Sequence, residues 1–287
     1  MENDLQPNAE QRNFWDQLAG PKWVRLGDGM DRLLAPILET VLDVANLKQG
    51  DRVLDIGCGG GTSTLAAAHS VGPDGHAMGA DISETLLRLA RDRAQAADVS
   101  NAAFQLCDAE THEFETNSFD AMISRFGVMF FGDPAAAFAN MATGLRPGAR
   151  ITFAAWGQIP NNPYFTLPAA VARKHFGAAP PKTDPDDPGP FAFRDPARVL
   201  GILNDAGLSN AQVDVREIAL TPPDGVAGLG ALCAEIGPVE RAFQHFDASQ
   251  ADRKAVNAAV VEAFSVFEKD GVLQVPAEIN IVTATVS

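Results

Sequence analysis

The stretch RVLDIGCGGGTST, Arg52 to Thr64, passes from an apolar alternation directly into glycines and small residues. Such writing marks a strand that ends in a loop where the backbone must turn sharply or be approached closely. STLAAAHSV follows without breakers and predicts a helix from about Ser63 to Val71, stopped by the GPDG turn at Gly72 to Gly75. Strand, bare loop and helix in that order point to a parallel sheet that binds its ligand outside the carboxyl end of the strand.

The pattern repeats. HAMGAD predicts a second strand ending at Asp81, after which Ser83 can cap the helix ETLLRLARDRAQAA. AAFQLC is a third strand ending at Asp108, and SFDAMIS a fourth ending near Ser124. Asp133 and Pro134 open a further helix, and RPGARITFAAW turns into a fifth strand. Five such units predict a Rossmann-like, doubly wound α/β fold. Beyond Trp156 the rhythm changes. Ala178 to Pro190, AAPPKTDPDDPGP, is a proline-crowded loop; Asp195 and Pro196 start a helix that Gly207 stops; and AQVDVREIAL alternates as a sixth strand. Val226 to about Lys269 has helical spacing in two or three pieces, AEINIVTATV is a seventh strand, and the first forty residues read as two or three helices.

Which ligand the loop holds follows from what accompanies it. A phosphate loop needs a lysine after its glycines and none is there, so ATP or GTP hydrolysis is disfavoured. A dinucleotide fingerprint counted from Gly57 places Thr62 where its last glycine belongs. Asp55, Asp81 and Asp108 stand instead at three successive strand ends. Three carboxylates in one crevice repel a pyrophosphate and suit a ligand with hydroxyls, amines and positive charge.

In order and spacing, VLDIGCGGG, ADIS, LCDAE, FDAMISRFGVMFF and LRPGARITFAAW resemble the motifs of class I S-adenosylmethionine-dependent methyltransferases, most of all the small-molecule branch related to ubiquinone and menaquinone biosynthesis. The resemblance implies a seven-stranded sheet whose last strand is antiparallel, with helical cap elements. It implies that Asp55 and the loop of Gly57, Cys58, Gly59 and Gly61 hold the methionine part of S-adenosyl-L-methionine. Asp81 would accept both ribose hydroxyls beside Ile82; Asp108, backed by Ala109, would take the adenine amine; Ser124 and Arg125 would floor the sulfonium. The product would be S-adenosyl-L-homocysteine. The implied organisation is an N-terminal helical cap (1–47), a cofactor-binding core (48–156), an insert or lid (157–194), the core continued (195–220), a helical cap insert (221–276) and a final core strand (277–287).

RFGVMFF stands where nitrogen methylation of adenine or glutamine would require Asn-Pro-Pro-Tyr, so a small molecule is the expected methyl acceptor. Phe126 and Met129, with Trp23 from the N-terminal helices, are candidates for its pocket, and O- or C-methylation of a hydrophobic acceptor is favoured. Arg125 could meet an acidic or enolic substrate or form a structural salt bridge with an N-terminal or lid acid. His112, His175 and His245 are weak candidates for a base, and the sequence assigns no catalytic residue. A silent cofactor-binding sensor or scaffold is the alternative. Aminopropyl transfer and NAD-dependent oxidation lack their accompanying residues around the only tyrosine, Tyr164.

With 22 Lys and Arg against 37 Asp and Glu, the net charge of −15 argues against nucleic acid and anionic membranes as partners. Neither a membrane-length apolar run nor a basic leader is expected from the acidic opening MENDLQPNAE, which predicts a cytoplasmic protein. Cys58, Cys107 and Cys233 lack metal-site spacing, so no metal is expected.

Overall fold

A computed structural model describes residues 8–287, so the first seven residues of the expected N-terminal cap lie outside the described residues. Seven strands form one sheet: β1 (Arg52–Ile56), β2 (His76–Asp81), β3 (Ala102–Leu106), β4 (Phe119–Arg125), β5 (Leu145–Trp156), β6 (Ser209–Leu220) and β7 (Val275–Thr285). Their order is β3-β2-β1-β4-β5-β7-β6. All neighbours pair parallel except β7, which runs antiparallel to β5 and β6. The seven-stranded sheet with an antiparallel last strand is therefore present as expected.

Strand order reverses between β1 and β4, and there the crevice for a ligand opens. From Val53 to Ile56 every residue of β1 is buried, Asp55 included, which shows that helices cover both faces of the central strand. On the sheet lie α3 (Ala35–Ala45), α4 (Thr62–Val71), α5 (Glu84–Ala96), α6 (Pro134–Gly144) and α8 (Pro196–Asp205). Ser83, Asp133 and Asp195 cap α5, α6 and α8 through their side chains, as their positions before the apolar periodicity predict.

Above the strand ends sit the remaining helices. The N-terminal arm is α1 (Ala9–Asn13), a π-helical segment over Phe14–Ala19, and α2 (Gly20–Leu33). The cap comprises α7 (Pro163–Phe176), α9 (Gly225–Glu235), α10 (Pro238–His245) and α11 (Gln250–Phe264). Sequence periodicity does not reveal α7. Pro163 occupies its first turn harmlessly, but Pro168 lies inside and can neither donate its own backbone bond nor look helical.

Candidate functional site

The glycine loop is shaped by contact with the end of β4. Gly57 has φ +65°, and a Cβ there would lie 2.5 Å from Gly127 Cα, so only glycine lets the two chain segments cross. Ser124 fixes that crossing: its Oγ donates to the Ile56 carbonyl at 2.7 Å and accepts from Gly127 N–H at 3.1 Å. The loop's own donors are largely used within the protein. Gly57 and Cys58 N–H go to the Ala80 carbonyl, Gly61 N–H to that of Cys58, and Gly59 N–H to Asp81 Oδ2 at 2.8 Å. The loop thus provides room and shape more than donors, a point its glycine count could not reveal.

Asp55 is fully buried. Its Oδ2 accepts from Ser63 Oγ and Thr64 Oγ1, both at 2.6 Å, while Oδ1 has no partner among the described residues. Burial pushes this carboxyl up to about 6, against the relief given by Ser63, Thr64 and the charge of Arg125. Asp81 accepts from Gly59 N–H and, through Oδ1, from Ser83 N–H at 2.9 Å; burial raises its carboxyl too, and these backbone donors offset part of that. Asp108 accepts from Glu110 N–H at 3.1 Å and from the Asn8 amide at 3.0 Å. Ile82 is half-buried next to Asp81, and Ala109 is buried next to Asp108. The three acids stand at adjacent parallel strand ends, close enough that the charge of Asp81 acts on Asp55.

Arg125, 12% exposed, reaches across to Asp31 on α2 at 2.6 Å. Asp31 also accepts from Thr62 Oγ1 (2.7 Å) and from Arg93 (2.9 Å). Burial alone would raise the Asp31 carboxyl, but Arg125, Thr62 and Arg93 together hold it below its ordinary value. Arg125 therefore pairs with an acid of the N-terminal helices, one of the two roles open to it from the sequence. Its Nη1 is buried and has no partner among the described residues.

The N-terminal arm crosses all three acidic strand ends with a polar anchor at each. Asn8 holds Asp108 and Glu110; Asp16 accepts from Thr85 N–H at 2.9 Å, just past Asp81; Asp31 holds Arg125 and Thr62. Trp15 packs edgewise on Phe130 and Trp23, and Trp23 is partly buried against the core. Sequence reading missed Asn8, Asp16 and Asp31, since nothing local ties them to residues up to a hundred positions away. At Asp31 a cleft of about 540 Å3 opens, lined by Asp28, Asp31, Arg32, Thr62 and Arg93. Asp55, Asp81 and Asp108 are not among the residues that line it.

Aromatic residues gather on the other side of Arg125. Phe126 has φ +64°, a strained value for a bulky side chain, and its ring stacks on Trp156 at 4.5 Å with the planes 4° apart. Met129 is 1% exposed and packs in the core beneath. None of the three histidines is presented to this place by its contacts: His112 packs on Phe114, His175 pairs with Asp252 at 2.8 Å, and His245 packs on Phe246. Burial raises all three thiols, Cys107 and Cys233 to about 12, so they remain protonated at neutral pH.

Two of the buried atoms without partners among the described residues test which molecule fits. Asp55 Oδ1 is an acceptor and Arg125 Nη1 a donor, the complement of the ammonium and carboxylate of an amino acid. Asp108 holds a side-chain amide NH2, the same kind of donor as an exocyclic amine. A carboxylate has about four lone-pair sites, so Asp81 and Asp108 both retain acceptor capacity beyond their present bonds.

Comparison with known proteins gives a consistent result. Residues 47–169 match the family described as a methyltransferase domain. Aklanonic acid methyltransferase DauC of a Streptomyces is 36% identical over 118 residues, 41% of this chain and 54% of that protein. The ubiquinone/menaquinone biosynthesis C-methyltransferase UbiE of Pseudomonas fluorescens is 36% identical over 127 residues, 44% of this chain and 48% of that one. The chain spans about half the length of these relatives. A Haemonchus contortus phosphoethanolamine N-methyltransferase 2, solved with S-adenosyl-L-methionine, shares the fold with a TM-score of 0.56 at 19% identity, over 96% of this chain and 59% of that one.

Proposed function

We propose that this chain, whose residues 47–169 match a methyltransferase domain, is a class I S-adenosylmethionine-dependent methyltransferase that methylates a small hydrophobic acceptor at oxygen or carbon. The observation that carries the reading is the pair of unpartnered buried atoms, Asp55 Oδ1 and Arg125 Nη1, set among three strand-end carboxylates. S-Adenosyl-L-methionine, when bound, supplies a methyl already activated on a sulfonium, so no residue has to create a leaving group.

In this reading Asp55 binds the ammonium and Arg125 the carboxylate of the methionine end, within the space that Gly57 to Gly61 leave open. Asp81 holds the ribose diol beside Ile82. Asp108 takes the adenine amine beside Ala109, sharing its oxygens with Asn8. Asp31 orients the Arg125 guanidinium, and Ser124 holds the two strand ends that frame it. The N-terminal arm excludes water, which strengthens each of these charge-assisted contacts. Phe126, Trp23 and the underlying Met129 give the acceptor an apolar surroundings. Methyl transfer then depends chiefly on aligning the acceptor, a task for packing more than for a proton-transfer group.

The oxygen or carbon preference rests on the apolar aromatic wall and on relatives named for a carboxylic acid and for C-methylation. A silent scaffold is not favoured: both relatives are named as enzymes, and Asp55, Asp81 and Asp108 are all in place. Incubation with methyl-labelled donor and a panel of phenols, enols, carboxylic acids, amines and thiols tests the proposal. Label should pass to an oxygen or carbon acceptor; transfer confined to amines or thiols, or to none of the panel, would contradict it.

A further inference from the structure

Tyr164 is the only tyrosine of the chain, and none of the roles above uses it. It lies in the first turn of α7, 4% exposed. Its ring is nearly parallel to the Trp156 indole, with centroids 6.2 Å apart and planes at 12°, and Trp156 in turn stacks on Phe126. Three rings therefore form a ladder from the end of β4, beside Arg125, into the cap.

A buried phenol ordinarily finds an oxygen or nitrogen partner. Among the described residues the hydroxyl's one hydrogen-bond partner is the Met30 thioether, at 4.0 Å, which is a weak acceptor. Burial holds the phenol well above its usual value, with the nearby Cys233 thiol adding to the effect, so the group keeps its proton and can donate. Met30 immediately precedes Asp31, the residue that clasps Arg125. The underused donor thus faces α2, the helix that also carries Asp31.

Resting on the methyl-transfer reading, we infer that Tyr164 is a specificity-determining residue whose hydroxyl donates a hydrogen bond to an oxygen of a flat, ring-containing acceptor packed against the Phe126–Trp156 stack. The ladder selects for planarity and the hydroxyl for the oxygen. A site built around a donor discriminates against an analogue that lacks the matching acceptor, because the donor is then left unpaired.

Because tyrosine occurs once, full-length protein grown with 3-fluorotyrosine gives a single fluorine resonance that reports this position. The probes are 2-naphthol and naphthalene, with S-adenosylhomocysteine present. 2-Naphthol should move the resonance and bind about tenfold more tightly than naphthalene, the worth of one ordinary hydrogen bond. Tyr164→Phe should abolish that difference while leaving the affinity for S-adenosylhomocysteine unchanged. The inference is overturned if the preference survives in Tyr164→Phe, or if neither probe shifts the fluorine signal of the unsubstituted protein. That second arm decides the matter even if the variant fails to fold. Absence of S-adenosylhomocysteine binding to the unsubstituted protein would count against the methyl-transfer reading instead, and the naphthol comparison without it would still judge Tyr164.

Discussion

The two walls of the crevice are built in opposite ways. The wall formed by β1, β2 and β3 is polar, and its key groups lie between Asp55 and Glu110 at the ends of consecutive strands. The wall beyond Arg125 is apolar, with an aromatic centre, and its members come from Met30 on the N-terminal arm, Phe126 after β4, Trp156 at the end of β5, Tyr164 on α7 and Cys233 on α9. One wall is written in local spacing. The other exists only after the chain has folded. Asp31 links them through Thr62 on one side and Arg125 on the other, in addition to the Ser124 contact between the ends of β1 and β4.

Substitutions can separate the walls. The largest effect is expected from Gly57→Ala, which puts a side chain at φ +65° and 2.5 Å from the Gly127 backbone. It should cost more than about 2 kcal/mol in chemical denaturation and abolish cofactor binding, since strain and clash coincide. Next comes Asp31→Asn, which leaves Arg125 and Arg93 without their shared counter-charge. A loss of about 2 kcal/mol is expected, together with faster hydrogen exchange of amides in residues 9–33 and little change at β1 to β3. Equal acceleration in both regions would show that the arm is not a separately anchored element.

The smallest effect, confined to the polar wall, is pH dependence through Asp55. Its carboxyl is raised from 3.8 to about 6 by burial, so it ionises only as the pH rises through that value. Its contribution to the stability of the unliganded fold is complete below the unfolded value of 3.8 and is lost as pH rises through about 6. Affinity for an ammonium-bearing cofactor has the opposite sign. It should fall about tenfold per pH unit below 6 and level off above it. Asp55→Asn should flatten the profile; an unchanged profile would remove Asp55 from contact with the cofactor's charge.

The same division explains what the sequence made legible. β1 and β2 fall on the residues their alternation indicates, and Ser83, Asp133 and Asp195 cap the helices they precede, because each signal lies within a few residues of its effect. The antiparallel seventh strand was accessible through the family resemblance. Helix α7 was hidden by Pro168, and with it the neighbourhood of Tyr164. The anchoring of Asn8, Asp16 and Asp31 depends on where a helix lies in space, and the strained φ of Phe126 on a bond from its N–H to the Ala154 carbonyl one strand away. Neither leaves a periodic trace. Even in the legible wall, the roles were only half visible: Asp81 organises the glycine loop through Gly59 N–H as well as standing ready at its strand end.

The central claim is that the polar wall receives a cationic amino-acid nucleoside and not a dinucleotide. Isothermal titration of the full chain with S-adenosylmethionine, S-adenosylhomocysteine and NAD, repeated with Asp81→Ala, tests it most directly. Micromolar binding of both sulfur nucleosides, no binding of NAD, and a strong loss in the variant are expected, since the ribose diol would lose two charge-assisted hydrogen bonds. Binding of NAD alone, or affinity for the sulfur nucleosides that is indifferent to Asp81→Ala, would contradict the account.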